Sequence, residues 1–297
     1  MSGGKRMNGG GAVRARPADG RWHFQHGPID LVIGVDGEPA AVGPALESAW
    51  ARFAGVLDEL VGELALLRAP CAPTACGASP HGPVARRMAQ ACRPYAERFG
   101  LFVTPMAAVA GSVAQEIVAH FERPGIRRAR VNNGGDIALW LAQGASVAVG
   151  VVCDLAAPSI DARLRIGGTD ALRGIATSGW RGRSFSLGVA DAVTVLAETA
   201  AMADAAATMI ANAVDIDHPA VRRAPASMLR DDTDLGERRV TVAVGALPPD
   251  AVRESLDRGA RFARRCIDEG LVAQAMLSLQ GRSRIVADHR IEALAPA

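Results

Sequence analysis

The sequence predicts an α+β fold built from antiparallel or mixed sheets with helices packed on them. Three observations predict it. Apolar residues alternate in short runs along much of the chain, whereas a few long stretches repeat them at spacings of three and four. Strands and helices are mixed but do not alternate strictly, as a doubly wound parallel sheet would require. Aromatic residues make up only 4% of a chain that is 49% apolar, so the core must rest on Ala, Val, Leu and Ile.

The elements follow in order. Residues 1–20 are rich in Gly, Arg and Pro and have no apolar signal core, which predicts a disordered lead-in; residues 21–297 are expected to form a single domain. Trp22 to Asp36 reads as two strands turned at Gly27-Pro28. From Pro44 to about Leu67, Leu46, Trp50, Phe53, Val56, Leu57 and Leu60 mark an amphipathic helix. The prolines and cysteines of 69–83 predict a loop. Cys71, Cys76 and His81 lie in it without the tight ligand pairs of a structural zinc site, so ordinary loop roles are favoured over metal binding. A helix over 84–99 carries Cys92 as a packed thiol.

Leu101-Phe102-Val103 is expected as a short strand. A helix over 106–120 follows, capped by Thr104 with Pro105 at its first position. Its first turns, Ala107 to Ser112, are small residues that admit close approach of a backbone or ligand. His120 is expected to favour the helix dipole when protonated. Strands are expected at 127–131, 137–141, 147–153, 163–166, 171–177 and 191–197, then an alanine-rich helix over 199–214. Residues 218–237 read as an irregular surface loop. A strand at 239–244, a long helix to about Glu269, and strands at 271–279 and 283–287 complete the chain.

Formal net charge is +2 with acids and bases interspersed, which argues against a nucleic-acid partner. No apolar run reaches the roughly 20 residues of a membrane span. Five cysteines in no framework pattern fit a reducing compartment, so the expected location is the cytoplasm.

Three polar signatures stand out in alanine-rich surroundings. Asn132-Asn133-Gly134-Gly135-Asp136 between two strands offers unobstructed backbone N–H groups and a carboxylate able to accept from a ring N–H or sugar hydroxyl; on spacing alone a plain hairpin turn is favoured, since Asn-Gly is a turn dipeptide. Thr177-Ser178-Gly179 ends a strand with two hydroxyls, and Arg181 and Arg183 follow on a loop. Hydroxyls and arginines suit phosphate oxygens, although composition alone favours a solvated loop. Asp204 and Thr208 are four apart on a helix and so share a face. A carboxylate and a hydroxyl are hard-oxygen ligands suited to Mg²⁺ or Ca²⁺; a buried hydrogen-bonding role for Asp204 weighs about the same.

Taken together and in this order, the Gly-Gly-Asp segment, Ala176-Thr177-Ser178-Gly179 and the Ala-Asp-Ala-x-x-Thr helix resemble the ApbE family, the FAD:protein FMN transferases, over roughly 105–214. Asn132 to Asp136 and the run Gly188-Val189-Ala190-Asp191-Ala192-Val193-Thr194-Val195 are most similar to an uncharacterised ApbE-like family. The resemblance implies an ApbE-like fold, Mg²⁺ held by Asp204 and Thr208 with a backbone carbonyl from 107–109, and FAD, FMN or another nucleotide near Asn133 to Asp136 and Thr177 to Gly179. Two departures set limits. Gly111 stands where the transferases carry a lysine, and 184–191 reads Ser-Phe-Ser-Leu-Gly-Val-Ala-Asp in place of His-x-x-Asp-Pro-x-Thr-Gly.

Three functions follow as expectations. The favoured one is a cytoplasmic transferase acting on a nucleotide cofactor, with Arg181 and Arg183 clamping the phosphate end and Asp191 touching substrate or serving as a base. The second is an enzyme assembling a pterin-type, tetrahydromethanopterin-like one-carbon carrier. The third is a non-catalytic flavin- or nucleotide-binding module.

Overall fold

The computed structural model describes residues 11–18, 20–71, 79–151, 162–287 and 295–296. Its centre is a nine-stranded sheet. The strands are β1 (Val13–Ala15), β2 (Trp22–His26), β3 (Ile29–Gly37), β4 (Ile126–Asn133), β5 (Asp136–Leu141), β8 (Gly174–Ser178), β9 (Ala192–Ala197), β12 (Gln274–Leu279) and β13 (Arg282–Ala287), in that spatial order. Every adjacent pair is antiparallel. A smaller sheet comprises β6 (Ser146–Val151), β7 (Ala162–Gly167) and β14 (Ala295–Pro296), and β10 (Val221–Pro225) pairs with β11 (Arg239–Val244).

The period-2 pattern of the strands sorts the two faces of the large sheet. On one face lie the helices α1 (Pro39–Gly62), the one-turn α2 (Leu64–Leu67), α3 (Pro83–Phe99), α4 (Val109–Val118), α5 (Ala200–Ala213) and α6 (Pro249–Asp268). Phe24, Leu31, Ile33 and Val131 of the sheet meet Phe53, Val56, Met88 and Ile117 of α1, α3 and α4. Val193, Val195 and Leu277 meet Ile210 of α5 and Leu256 and Ala263 of α6. On the other face, Leu139, Leu141, Ile175, Leu196 and Met276 pack against Val147, Val149 and Ile166 of the small sheet.

Between β5 and β8 the large sheet narrows to two paired positions, Ile137↔Ile175 and Ala138↔Gly174. Beyond them the Leu139 N–H reaches across to the Arg173 carbonyl at 2.9 Å, and the Thr177 N–H to the Asp136 carboxylate at 3.3 Å. A cavity of about 320 Å³ opens beside this seam, lined by Gln115, Leu139, Arg173 and Thr199 among others.

Several expectations are corrected. Part of the lead-in is a strand: Val13–Ala15 pairs with β2, and Arg14 joins Glu47 at 2.8 Å and stacks over Trp50. The first helix starts at Pro39 rather than Pro44; Pro39 takes the position where a missing N–H costs nothing, and Pro44 lies within the helix. Leu101–Val103 forms no strand; its backbone is tied by the Leu101 N–H to the Tyr95 carbonyl at 3.1 Å and by the Cys71 N–H to the Val103 carbonyl at 2.8 Å. Thr104 does not cap the following turn, because its hydroxyl donates to Asp234. Residues 105–108 are a 3₁₀ turn ahead of α4. His120 bonds the Ser48 hydroxyl through Nδ1, and burial lowers its pKa, so it is not the expected dipole cation. Within the expected loop 218–237, Val221–Pro225 is a strand whose bulge at Arg222/Arg223 hides the alternation.

Cys76 lies outside the described residues. Cys71 is a half-buried free thiol, and the exposed His81 sits beside Glu63.

Candidate functional site

The site assembles where α4, α5 and the β4–β5 hairpin meet. Asn132 to Asp136 is a hairpin turn, and the turn itself builds the site. Asn133 pairs with Asp136 across the two glycines, which adopt φ of 66° and 119°, the left-handed values a two-residue hairpin of this kind requires. Asn132 Oδ1 accepts from the Gly135 N–H at 2.8 Å and braces the turn. The buried Asn133 turns inward, its Nδ2 donating to the Ala110 carbonyl at 3.1 Å. The hairpin is thus tied to the first turn of α4.

From the other side, α5 comes to the same place. Thr199 caps it, accepting from the Met202 N–H at 3.3 Å. Most of the helix is alanine and buried, but Asp204 and Thr208 are half-exposed on one face, as their spacing predicts. Asp204 Oδ2 accepts from the Gly111 N–H at 2.8 Å. Helices α4 and α5 touch closely here: a Cβ on Gly111 would lie 2.2 Å from the Ala200 carbonyl oxygen and 2.8 Å from Asp204 Cβ. The Thr208 hydroxyl has no hydrogen-bond partner among the described residues, although it is half-buried.

Asp136 and Asp204 therefore approach one another from different elements, near enough for their charges to interact. Asp136 accepts from the Thr177 N–H at 3.3 Å. Neither carboxylate has a Lys, Arg or His partner among the described residues. Burial raises the pKa of Asp136 to about 7 against the pull of that N–H. Asp204 is raised well above the usual carboxylate range, by burial first and the Asp136 charge second, opposed by the Gly111 and Ala110 N–H groups. Two acids that repel one another and lack a counter-cation need protons or a bound cation.

The second signature lies beside them. Thr177 Oγ1 shares a hydrogen bond with Thr194 Oγ1 at 2.9 Å. Ser178 is half-exposed at the strand end. Gly179 is where the backbone turns against Asp191, since a Cβ there would lie 2.4 Å from the Asp191 carbonyl oxygen. The loop that follows carries Arg181 and Arg183. Asp191 lies under this loop and accepts from Trp180 Nε1 and Arg181 Nε, each at 3.1 Å, and from the Gln280 N–H at 2.5 Å. Its carboxylate is occupied from within the chain. Arg183 hangs over the Gly134 turn instead.

Sequence reasoning missed the meeting of Asp136 with Asp204 and the role of Asn212. Asn212 is the next turn of the Asp204–Thr208 stripe. Its Oδ1 accepts from Ser186 Oγ at 3.2 Å and the Leu187 N–H at 2.9 Å. The spacing 204, 208, 212 is the signal that could have found it. The segment in which this chain departs from the transferases is thereby fastened to the helix that carries Asp204.

A sequence-family profile described as "AbpE bacteria" matches residues 13–285. UPF0280 protein MK0206 of Methanopyrus kandleri is 41% identical over 143 residues, 48% of this chain and 54% of that protein. A UPF0280 protein of Methanothermobacter thermautotrophicus is 39% identical over 135 residues, 45% of this chain and 50% of its own. The chain spans about half the length of the curated relatives it matches. Among solved structures, the apo form of the Pseudomonas stutzeri flavinyl transferase ApbE aligns over 95% of this chain and 96% of its own, with TM-score 0.47 and 11% identity. With the profile covering nearly all of the described core, the chain belongs to the AbpE bacteria family, an ApbE-like family.

Proposed function

We propose that the chain binds a flavin or related nucleotide together with Mg²⁺ in the crevice between the β4–β5 hairpin and α5, as an ApbE-like transferase of the cytoplasm. One observation carries the reading: Asp136 and Asp204 converge there without a counter-cation, beside the unpartnered Thr208 hydroxyl. The residues suit Mg²⁺. Asp204 and Thr208 supply two hard oxygens one helical turn apart, and Mg²⁺ takes few protein ligands, completing its shell with water and phosphate. When bound, the ion would neutralise phosphate charge during transfer.

The chain's own residues would do the rest. The Gly111 N–H orients the Asp204 carboxylate. The Gly134-Gly135 turn leaves open space above Gly135, where a ring or ribose can approach the backbone. Asp136 is available to a ring N–H or a hydroxyl of the ligand. Membership of an ApbE-like family supports a flavin nucleotide as the first ligand to try.

The test is flavin binding by the full chain with and without Mg²⁺. FMN or FAD should bind with Mg²⁺ and lose affinity at least tenfold in EDTA, in Asp204→Asn and in Thr208→Val. Binding that ignores both EDTA and Asp204→Asn would refute the metal role. Heat protection by a pterin and by no flavin would refute the flavin assignment.

A further inference from the structure

Two arginines, two residues apart, leave β8 on one loop, and the structure gives them opposite roles. Arg181 is committed. Its Nε donates to Asp191 Oδ1 at 3.1 Å, and its guanidinium stacks 5.1 Å from the centre of the Trp180 ring. Asp191 is 13% exposed, holds the Trp180 indole N–H as well, and is anchored to the Gln280 backbone. Arg181, Trp180 and Asp191 thus form a closed set in which the arginine's charge is neutralised and its plane covered.

Arg183 is free. It is exposed and makes no hydrogen bond or ion pair among the described residues. Its guanidinium nevertheless lies over the hairpin of the site: a Cβ on Gly134 would meet Arg183 Nη1 at 2.9 Å. With no Cβ at 134, the guanidinium rests directly against the turn. The chain therefore sets an uncompensated fork of five N–H donors over the hairpin that carries Asp136.

We propose that Arg183, and not Arg181, reads the anionic end of the ligand, a phosphate group held above the Gly134-Gly135 turn. Charge balance favours this arrangement. A divalent ion on Asp204 and Thr208, with the Asp136 charge beside it, brings the site to neutrality, so a phosphate entering it still needs a cation, and Arg183 is the unengaged cation that the described residues place over the hairpin. A planar guanidinium also matches phosphate oxygens in pairs. The proposal rests on the crevice being the ligand site. It adds that affinity depends on the phosphate and that one arginine carries this dependence.

The experiment compares FMN with riboflavin by flavin fluorescence titration of the full chain in Mg²⁺. The wild-type chain should prefer FMN about tenfold or more, the scale of a hydrogen bond to a charged group. Arg183→Gln should abolish that preference while leaving riboflavin binding unchanged, and Arg183→Lys should restore part of it. Arg181→Gln should keep the preference but melt at a lower temperature. A preference that survives Arg183→Gln, one lost in Arg181→Gln instead, or none in the wild type overturns the proposal. If the wild type binds neither flavin, the flavin reading fails, and inorganic pyrophosphate with Mg²⁺ decides by thermal shift. Protection of the wild type but not of Arg183→Gln upholds Arg183; equal protection, or none, overturns it.

Discussion

The Gly111 N–H donates to Asp204 Oδ2 at 2.8 Å across the α4–α5 contact, and the same closeness forbids a side chain at position 111. The lysine that the FMN transferases carry at the corresponding place could not be accommodated without parting these helices. The departure seen in the sequence is therefore also a packing requirement. Gly111→Ala should destabilise the protein by about 2–3 kcal/mol through overpacking against the α5 backbone. It should also weaken Mg²⁺ binding by turning the N–H away from Asp204. Chemical denaturation and calorimetric metal titration of the same variant measure the two effects.

The acid pair predicts a pH dependence. Asp136 and Asp204 both titrate above the ordinary carboxylate range in the folded chain. Between the unfolded value near 3.8 and the folded value of about 7 for Asp136, the native state binds more protons than the unfolded state. The stability tied to that protonation is complete below the unfolded value and is lost as pH rises through the folded one. In EDTA, the melting temperature of the wild type should fall from pH 5 to pH 8 more steeply than that of Asp204→Asn. Mg²⁺ should remove most of the difference, because it holds both groups ionised without repulsion. Parallel pH profiles for the two proteins would count against the pair.

Much of this site was legible in the sequence because its parts are local. The Gly-Gly pair fixes a hairpin by φ alone, the capping Thr199 and the alanine run fix α5, and helical periodicity puts Asp204 and Thr208 on one face. Other features depend on residues far apart in the chain. Asp191 looked like a substrate contact because its partners, Trp180, Arg181 and the Gln280 N–H, come from a loop and a remote hairpin end. The strand at Val221–Pro225 was hidden because its sequence, Val-Arg-Arg-Ala-Pro, has almost no apolar alternation and takes its order from β11. Leu101–Val103 has a strand's composition but pairs with no strand among the described residues.

Asp191 should then behave as a structural residue. Asp191→Asn keeps the shape but removes the charge that Arg181 answers, and it leaves one amide oxygen for three donors. The loss should be about 1–3 kcal/mol of stability, with FMN affinity changed less than in Arg183→Gln. Urea unfolding and flavin titration of the variant provide the check.

Gln274 offers a prediction away from the site. It is fully buried in β12, on the sheet face it shares with Met276, and among the described residues neither its Oε1 nor its Nε2 has a hydrogen-bond partner. Burying an unsatisfied amide is costly. Gln274→Met retains the length and removes both polar atoms, so it should stabilise the protein by about 1–2 kcal/mol, read as a higher urea midpoint at unchanged slope.

The seam between β5 and β8 gives the acid pair a mechanical meaning. Asp136 stands on one side of it and Asp204, through α5, on the other, while the sheet itself contributes two rungs. An ion held by Asp204 and Thr208 and drawing the Asp136 charge towards it would act as a rivet through a half-open zipper, joining two edges that the backbone only loosely stitches. Loading the metal should slow amide exchange along β5 and β8 more than at the outer strands, so that occupancy and rigidity rise together.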